Sequence, residues 1–149
     1  MTPPPSRPHY MMSQAEEQRI FYQGLRLFND HRDFFEAHET WEDIWHISSG
    51  HRRRCYQGLI QIAVTLVHLQ RDNRLGAERV RESAHKRLAG LPAVYMGINV
   101  ESLLASFDRL VLPAIDKRRP PGPLFDVDRL FTIDMLYDPF DDPRPTDLE

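Results

Sequence analysis

Apolar residues recur at helical spacing along most of this chain, and the recurrence begins after Ser13. Ser13, with Glu16 three residues later, forms a capping box, a pattern that satisfies the free N–H groups at a helix start. The apolar positions that follow on one side of a 3.6-residue repeat are Ile20, Phe21, Gly24, Leu25, Leu27 and Phe28. The pattern predicts a first helix over about residues 13–28.

The same kind of signal predicts four more helices. Asp33 followed by Glu36 is a second cap pattern, and it opens the segment Phe34–Trp45, which reads FFEAHETWEDIW. Further helices are predicted over about residues 52–70, over 74–89 after a cap at Asp72-Asn73, and over 100–115 after a cap at Asn99. We therefore expect an all-α fold of about five helices in a compact antiparallel bundle or an orthogonal array.

The periodicity fades after Lys117, where prolines and acidic residues become frequent. The segment 117–149 still carries many apolar residues, too many for a free tail, so we expect an extended Pro/Asp-rich arm with only its last residues loose. The arm would lie across the chain's own bundle or across a second copy of the chain. In the second case the arm would hold a homo-oligomer together. The expected organisation is a flexible lead-in 1–12, a helical domain 13–116 and the arm 117–149.

Composition narrows the class of protein. The single cysteine, Cys55, excludes an intramolecular disulfide and argues against a thiolate metal site. No apolar run reaches the ~18–20 residues needed to cross a bilayer, and the lead-in lacks the apolar stretch of a secretory signal, so we expect a cytoplasmic protein without a membrane segment. A formal charge of −3 gives no general attraction to nucleic acid.

The helix Phe34–Trp45 carries the most informative polar residues. On a helical wheel Phe34, Trp41 and Trp45 share a face with His38, and Glu42 follows His38 at the i, i+4 contact spacing. Burying a carboxylate without partners is costly, so Glu42 is expected to be hydrogen-bonded, metal-bound or protonated. The positions expected to face water are Glu36, Thr40 and Asp43.

The third helix is apolar nearly all the way round except for one narrow stripe. Its members are Arg54, Gln57, Gln61, Thr65 and His68. If the stripe faces the preceding helix, Gln61 and His68 would join His38 and Glu42 in one buried cluster. If it faces water, it is the exposed edge of a buried helix, and periodicity alone leaves both orientations open.

These segments resemble a known family. The strings FND-x2-DFFEAHETWEDIW, YQGLIQIAVTLVHLQRDN and GAERV, within about residues 28–91, are similar to the signature of domain of unknown function family 309. The resemblance implies a small multihelical fold and no activity, and the arm after Lys117 lies outside it. The positions that it singles out are Glu36, His38, Glu39, Glu42, Gln57, Gln61, His68 and Asn73.

A metal site is the sharpest chemical hypothesis. His38, Glu39 and Glu42 spell H-E-x-x-E, one residue away from the H-E-x-x-H of zinc peptidases. A divalent metal would take His38, Glu42 and His68 as ligands, and Glu39 would act as the base of a metal-dependent hydrolase. The downstream ligand signature of those enzymes is absent, and no cofactor is indicated otherwise.

The hypothesis that the sequence favours is a non-catalytic binding or scaffold domain, with a buried His/Glu/Gln cluster between two helices and an unidentified partner. A second alternative is an RNA-associated module that uses the basic run 51–54, although such runs are usually solvated. Cys55 is expected to be inert packing, His85 to be exposed, and the two tryptophans to be core anchors.

Overall fold

The computed structural model describes residues 12–148, and the lead-in apart from Met12 lies outside that range. The described part is mainly helical, as predicted, with five α-helices. They are α1 (Gln14–Asn29), α2 (Phe34–Trp45), α3 (Gly50–Gln70), α4 (Arg74–Leu88) and α5 (Val100–Ile115). The antiparallel strands β1 (Val94–Tyr95) and β2 (Ile98–Asn99) form a small hairpin that the sequence did not predict.

Four helices start at the predicted caps. Each cap side chain accepts a hydrogen bond from a backbone N–H three residues later, in the pairs Ser13–Glu16, Asp33–Glu36, Asn73–Gly76 and Asn99–Ser102. α3 begins two residues before the predicted start, and the side chain of Ser49 makes no capping hydrogen bond there.

α3 is the central helix, and α2 and α4 both pack along it with little contact between them. Trp41 anchors α2 against α1, since its indole Nε1 donates to the backbone oxygen of Phe21 at 3.1 Å. A Cβ at Gly24 would lie 2.0 Å from that nitrogen, so the close approach of the two helices requires glycine at this position. A Cβ at Gly58 of α3 would likewise lie 2.4 Å from the side chain of Leu88, where α3 packs against α4.

The segment after α5 is an extended arm, as predicted, and it lies across the chain's own bundle. The side-chain amide of Asn29 accepts from the backbone N–H of Ile133 at 2.8 Å and donates to its carbonyl at 2.9 Å. Leu124, Ile133 and Phe140 are buried. The expectation of loose last residues is wrong for Asp147, which is completely buried, because its carboxylate accepts three hydrogen bonds inside the fold.

The described residues include no helix that is both long enough and apolar enough to span a membrane.

Candidate functional site

The buried face of α2 differs from the predicted one. It is formed by Phe34, Ala37, Trp41 and Ile44. Trp45 is only half-buried, and His38 lies at the border of the face rather than among its aromatic residues. The aromatic residues alone misplace the centre of the face, because α2 packs against α1 as well as α3 and therefore also buries Ala37 and Ile44.

His38 and Glu42 form a loose pair on this border. His38 Nε2 lies 3.9 Å from Glu42 Oε1, and the two side chains are 15% and 44% exposed. Glu42 is therefore not the buried carboxylate that the sequence predicted. Pairs of this geometry and exposure contribute little to stability. Glu39, the candidate base, is exposed.

The polar stripe of α3 is the least buried side of that helix. Thr65 is the exception, since it is fully buried and its hydroxyl donates to the carbonyl of Gln61 at 2.7 Å. The partly exposed positions, which we call the α3 edge, are Arg54, Gln57, Gln61, Val64 and His68.

Contacts at both ends of α2 place that helix along one side of the α3 edge. The guanidinium of Arg53 stacks on the ring of Trp45, 4.3 Å from its centroid. At the other end the guanidinium of Arg71 lies 5.7 Å from the ring centroid of Phe35. By helical geometry the border of α2 with His38 therefore runs beside the α3 edge, between these two stacks.

Other contacts place α4 along the opposite side of the edge. Arg54 Nη1 donates to the carbonyl of Lys86 at 3.4 Å. At the far end the amide of Asn73 donates to His68 Nδ1 at 3.1 Å, and a Cβ at Gly76 would lie 2.6 Å from the same nitrogen. The α3 edge thus lies between α2 and α4, with His68 turned toward the start of α4.

This arrangement does not assemble the predicted metal site. Among the described residues no group of three or more His, Cys, Asp or Glu side chains is placed to hold a metal ion. His38, Glu42 and His68 therefore do not converge as ligands. The physical reason is that His68 is held at the α4 side by Asn73, while His38 and Glu42 belong to α2.

Four polar atoms around the α3 edge are buried and have no hydrogen-bond partner. They are Nδ1 of His38, Nε1 of Trp45, Oε1 of Gln61 and Nε of Arg87 on α4. Buried polar groups are nearly always paired in folded proteins, and each unpaired one costs roughly 1–3 kcal/mol. The four side chains are themselves partly exposed, so a partner can bond to these buried atoms only when the side chains turn outward.

The basic run is not a solvated stretch, because its arginines are tied into the fold. Arg52 Nη1 lies 2.9 Å from Glu17 Oε2, and the hydroxyl of Tyr56 donates to the same oxygen at 2.9 Å. Arg53 stacks on Trp45, and Arg54 reaches α4. Glu17, which the sequence did not single out, is thereby a buried and fully engaged carboxylate.

The environments of Cys55 and His85 can be compared with their predicted ones. Cys55 is buried as expected, and burial, with a smaller contribution from Asp147, raises the pKa of its thiol from 9.0 to about 12. His85 is not simply exposed, since its Nε2 lies 2.7 Å from Oδ1 of Asp108. Arg81 contacts the same oxygen at 2.9 Å, so this cluster joins α4 to α5.

Comparison with known proteins bears on the same segment. Residues 13–80 match the family described as domain of unknown function (DUF309), which confirms the resemblance seen in the sequence. An uncharacterised protein of Aquifex aeolicus (strain VF5) is 29% identical over 80 residues, which are 53% of this chain and 24% of that protein. The uncharacterised protein YpuF of Bacillus subtilis (strain 168) is 43% identical over 63 residues, 42% of this chain and 36% of YpuF. The matched region of the family contains α2 and the whole α3 edge.

Proposed function

We propose that this chain, whose residues 13–80 match the DUF309 family, is a non-catalytic binding domain with the α3 edge as its binding surface. The observation that carries the proposal is the set of buried, unpaired polar atoms on His38, Trp45 and Gln61. All three belong to α2 or α3 and border one surface. We propose the cytoplasm as its location, which agrees with a single free cysteine.

The contrast with other polar groups of the fold supports this proposal. Asn29 uses both ends of its amide on the arm, and Glu17 accepts from two side chains. These amide and carboxylate groups are satisfied within the fold, although Nε of Arg52 is itself buried without a partner. A group that costs stability without a partner in the fold is better explained by a partner outside the chain.

A purely structural network explains the edge less well. Such a network requires hydrogen bonds among His38, Glu42 and Gln61. The His38–Glu42 separation of 3.9 Å and the exposure of Glu42 do not supply a firm bond, and Gln61 Oε1 has no partner. The hydrolase alternative lacks the convergence of ligands that it requires.

The test is a pair of substitutions at amide side chains. Gln61→Met keeps the volume and removes the unpaired oxygen, so we expect the free energy of unfolding to stay unchanged or to rise by up to about 1 kcal/mol. Asn29→Leu removes two satisfied bonds and serves as the control, with an expected loss of roughly 1–3 kcal/mol. Urea unfolding followed by circular dichroism measures both.

A loss at Gln61→Met comparable to that at Asn29→Leu would show that Gln61 serves the fold. The proposal would then be wrong, because the edge would be a structural network with a partner for Gln61 in solution.

A further inference from the structure

We infer, resting on the proposed function, that the α3 edge binds an extended acidic segment of a partner protein, about eight residues long. Three properties of the edge lead to this occupant: the distance over which its unpaired groups are spread, the mixture of donors and acceptors, and the sign of its charge.

The unpaired groups and the two stacked arginines together are spread along a line. His38 and Trp45 lie seven positions apart on α2, which is about 10 Å at 1.5 Å per residue. The stacked guanidiniums of Arg53 and Arg71 belong to positions eighteen residues apart on α3 and at its C-terminal cap, about 27 Å along the axis. A compact small molecule does not span such a line, whereas an extended chain at ~3.3 Å per residue covers it with about eight residues.

The unpaired groups also require both kinds of partner. The N–H groups of Trp45 and Arg87 can only donate, and the side-chain oxygen of Gln61 can only accept. A peptide backbone offers a carbonyl and an N–H at nearly every residue. The sugar-phosphate backbone of single-stranded DNA offers only acceptors, so a donor for Gln61 has to come from a base, whereas the backbone of a peptide supplies both kinds of group.

The charge of the edge favours an acidic peptide. Four arginines line it or its ends, Arg53, Arg54, Arg71 and Arg87, and the half-exposed Glu42 is the carboxylate on the bordering side of α2. Stacking on an aromatic face leaves edge N–H groups of a guanidinium available, and these match a carboxylate in geometry. The surface is therefore locally basic although the chain carries a net charge of −3.

The experiment is a selection of phage-displayed random 12-residue peptides on the immobilised full chain. We expect enrichment of peptides rich in Asp and Glu. The best one, made synthetically with a fluorescent label, should bind at least tenfold more weakly to Arg71→Ala and to Gln61→Met, and more weakly as salt is raised. Arg79→Ala is the matched control, since Arg79 is an exposed arginine of α4, and it should leave the affinity within twofold.

Several outcomes overturn the inference. They are no enriched peptide, enriched peptides without acidic residues, equal loss in Arg79→Ala and Arg71→Ala, or tighter binding of a labelled dT12 oligonucleotide than of any peptide. If Gln61→Met leaves the stability unchanged and yet no acidic peptide is selected, the proposed binding surface is retained and the acidic peptide as its occupant is wrong. If Gln61→Met unfolds the chain, Gln61 serves the fold and the proposed binding surface is wrong.

Discussion

At the scale of single residues, the polar groups of this fold fall into two kinds. Glu17 and Asp147 are buried but fully bonded, Glu17 to Arg52 and Tyr56 and Asp147 to backbone and side-chain donors. His38 and Gln61 keep a buried atom without a partner. The first kind stabilises the fold, and the second lowers its stability, which is why we propose a partner outside the chain for it.

Cys55 allows a prediction about pH. Its thiol has a pKa near 9.0 when unfolded and about 12 in the fold. Between these values the unfolded chain loses the proton while the folded chain keeps it, so stability falls as pH rises. The slope is about 1.4 kcal/mol per pH unit for this group.

We therefore expect the free energy of unfolding of Cys55→Ala to fall less steeply above pH 9 than that of the unaltered chain. Urea unfolding at a series of pH values measures both slopes, and the slopes should agree below pH 8, where neither state ionises the thiol. Identical slopes above pH 9 would contradict the buried position of Cys55.

The residue scale is also where sequence reasoning was weakest. Glu17 looks like an ordinary first-turn acid of α1, and its partners Arg52 and Tyr56 lie 35 and 39 positions away. His85 likewise meets Asp108 of another helix. Such pairs depend on how helices dock, which helical periodicity does not specify.

At the scale of elements, local chemistry specified the helices well. Four helix starts were predicted from the caps at Ser13, Asp33, Asn73 and Asn99. A cap bonds to a residue three positions later, so the sequence alone contains the pattern. The hairpin at 94–99 was missed because its strands are two residues long, too short for alternation to be recognised.

The buried face of α2 was misplaced for a different reason. The large aromatic residues predict that the centre of the buried face lies near Trp41 and Trp45. In the structure the small side chain of Ala37 is completely buried and Trp45 is only half-buried. The centre of a helix's buried face depends on which neighbouring helices it packs against, and the sequence of the helix itself does not specify those neighbours. The residues of the candidate site could thus be predicted from the sequence, but the direction in which their side chains face could not.

The end of the arm supports a prediction at this scale. Asp147 accepts hydrogen bonds from Met96 N, from the Tyr137 hydroxyl and from Arg144 N. It belongs to the 3₁₀ helix Pro145–Leu148, which packs against α3, and its charge contributes to the raised pKa of Cys55. Asp147→Ala should loosen the arm's end and expose the thiol more often, raising the rate of Cys55 alkylation by iodoacetamide roughly tenfold.

Asp142→Ala is the control for that measurement, because Asp142 is an exposed carboxylate of the same arm. Equal alkylation rates in the two variants would mean that the arm's end does not protect Cys55.

At the scale of the whole molecule, the two sides of the bundle differ. The arm bonds to α1 through Asn29 and Tyr22 and to the hairpin through Gly97, and it buries apolar side chains there. The α3 edge lies between α2 and α4, and Gln61 on it, like His38 and Trp45 beside it, has a buried atom without a hydrogen-bond partner. The arm thus covers one side of the bundle, and we propose that the other side binds a partner.

The two tryptophans of the chain allow the most direct test of that claim, since each gives one indole signal in a ¹H–¹⁵N spectrum. The indole N–H of Trp41 donates to the backbone oxygen of Phe21 inside the core, and that of Trp45 has no hydrogen-bond partner in the fold. Titration with an acidic peptide recovered by selection should shift the Trp45 signal and leave that of Trp41 in place. A peptide that binds while the Trp45 signal stays unmoved, or while both signals shift alike, would contradict a binding surface at the α3 edge.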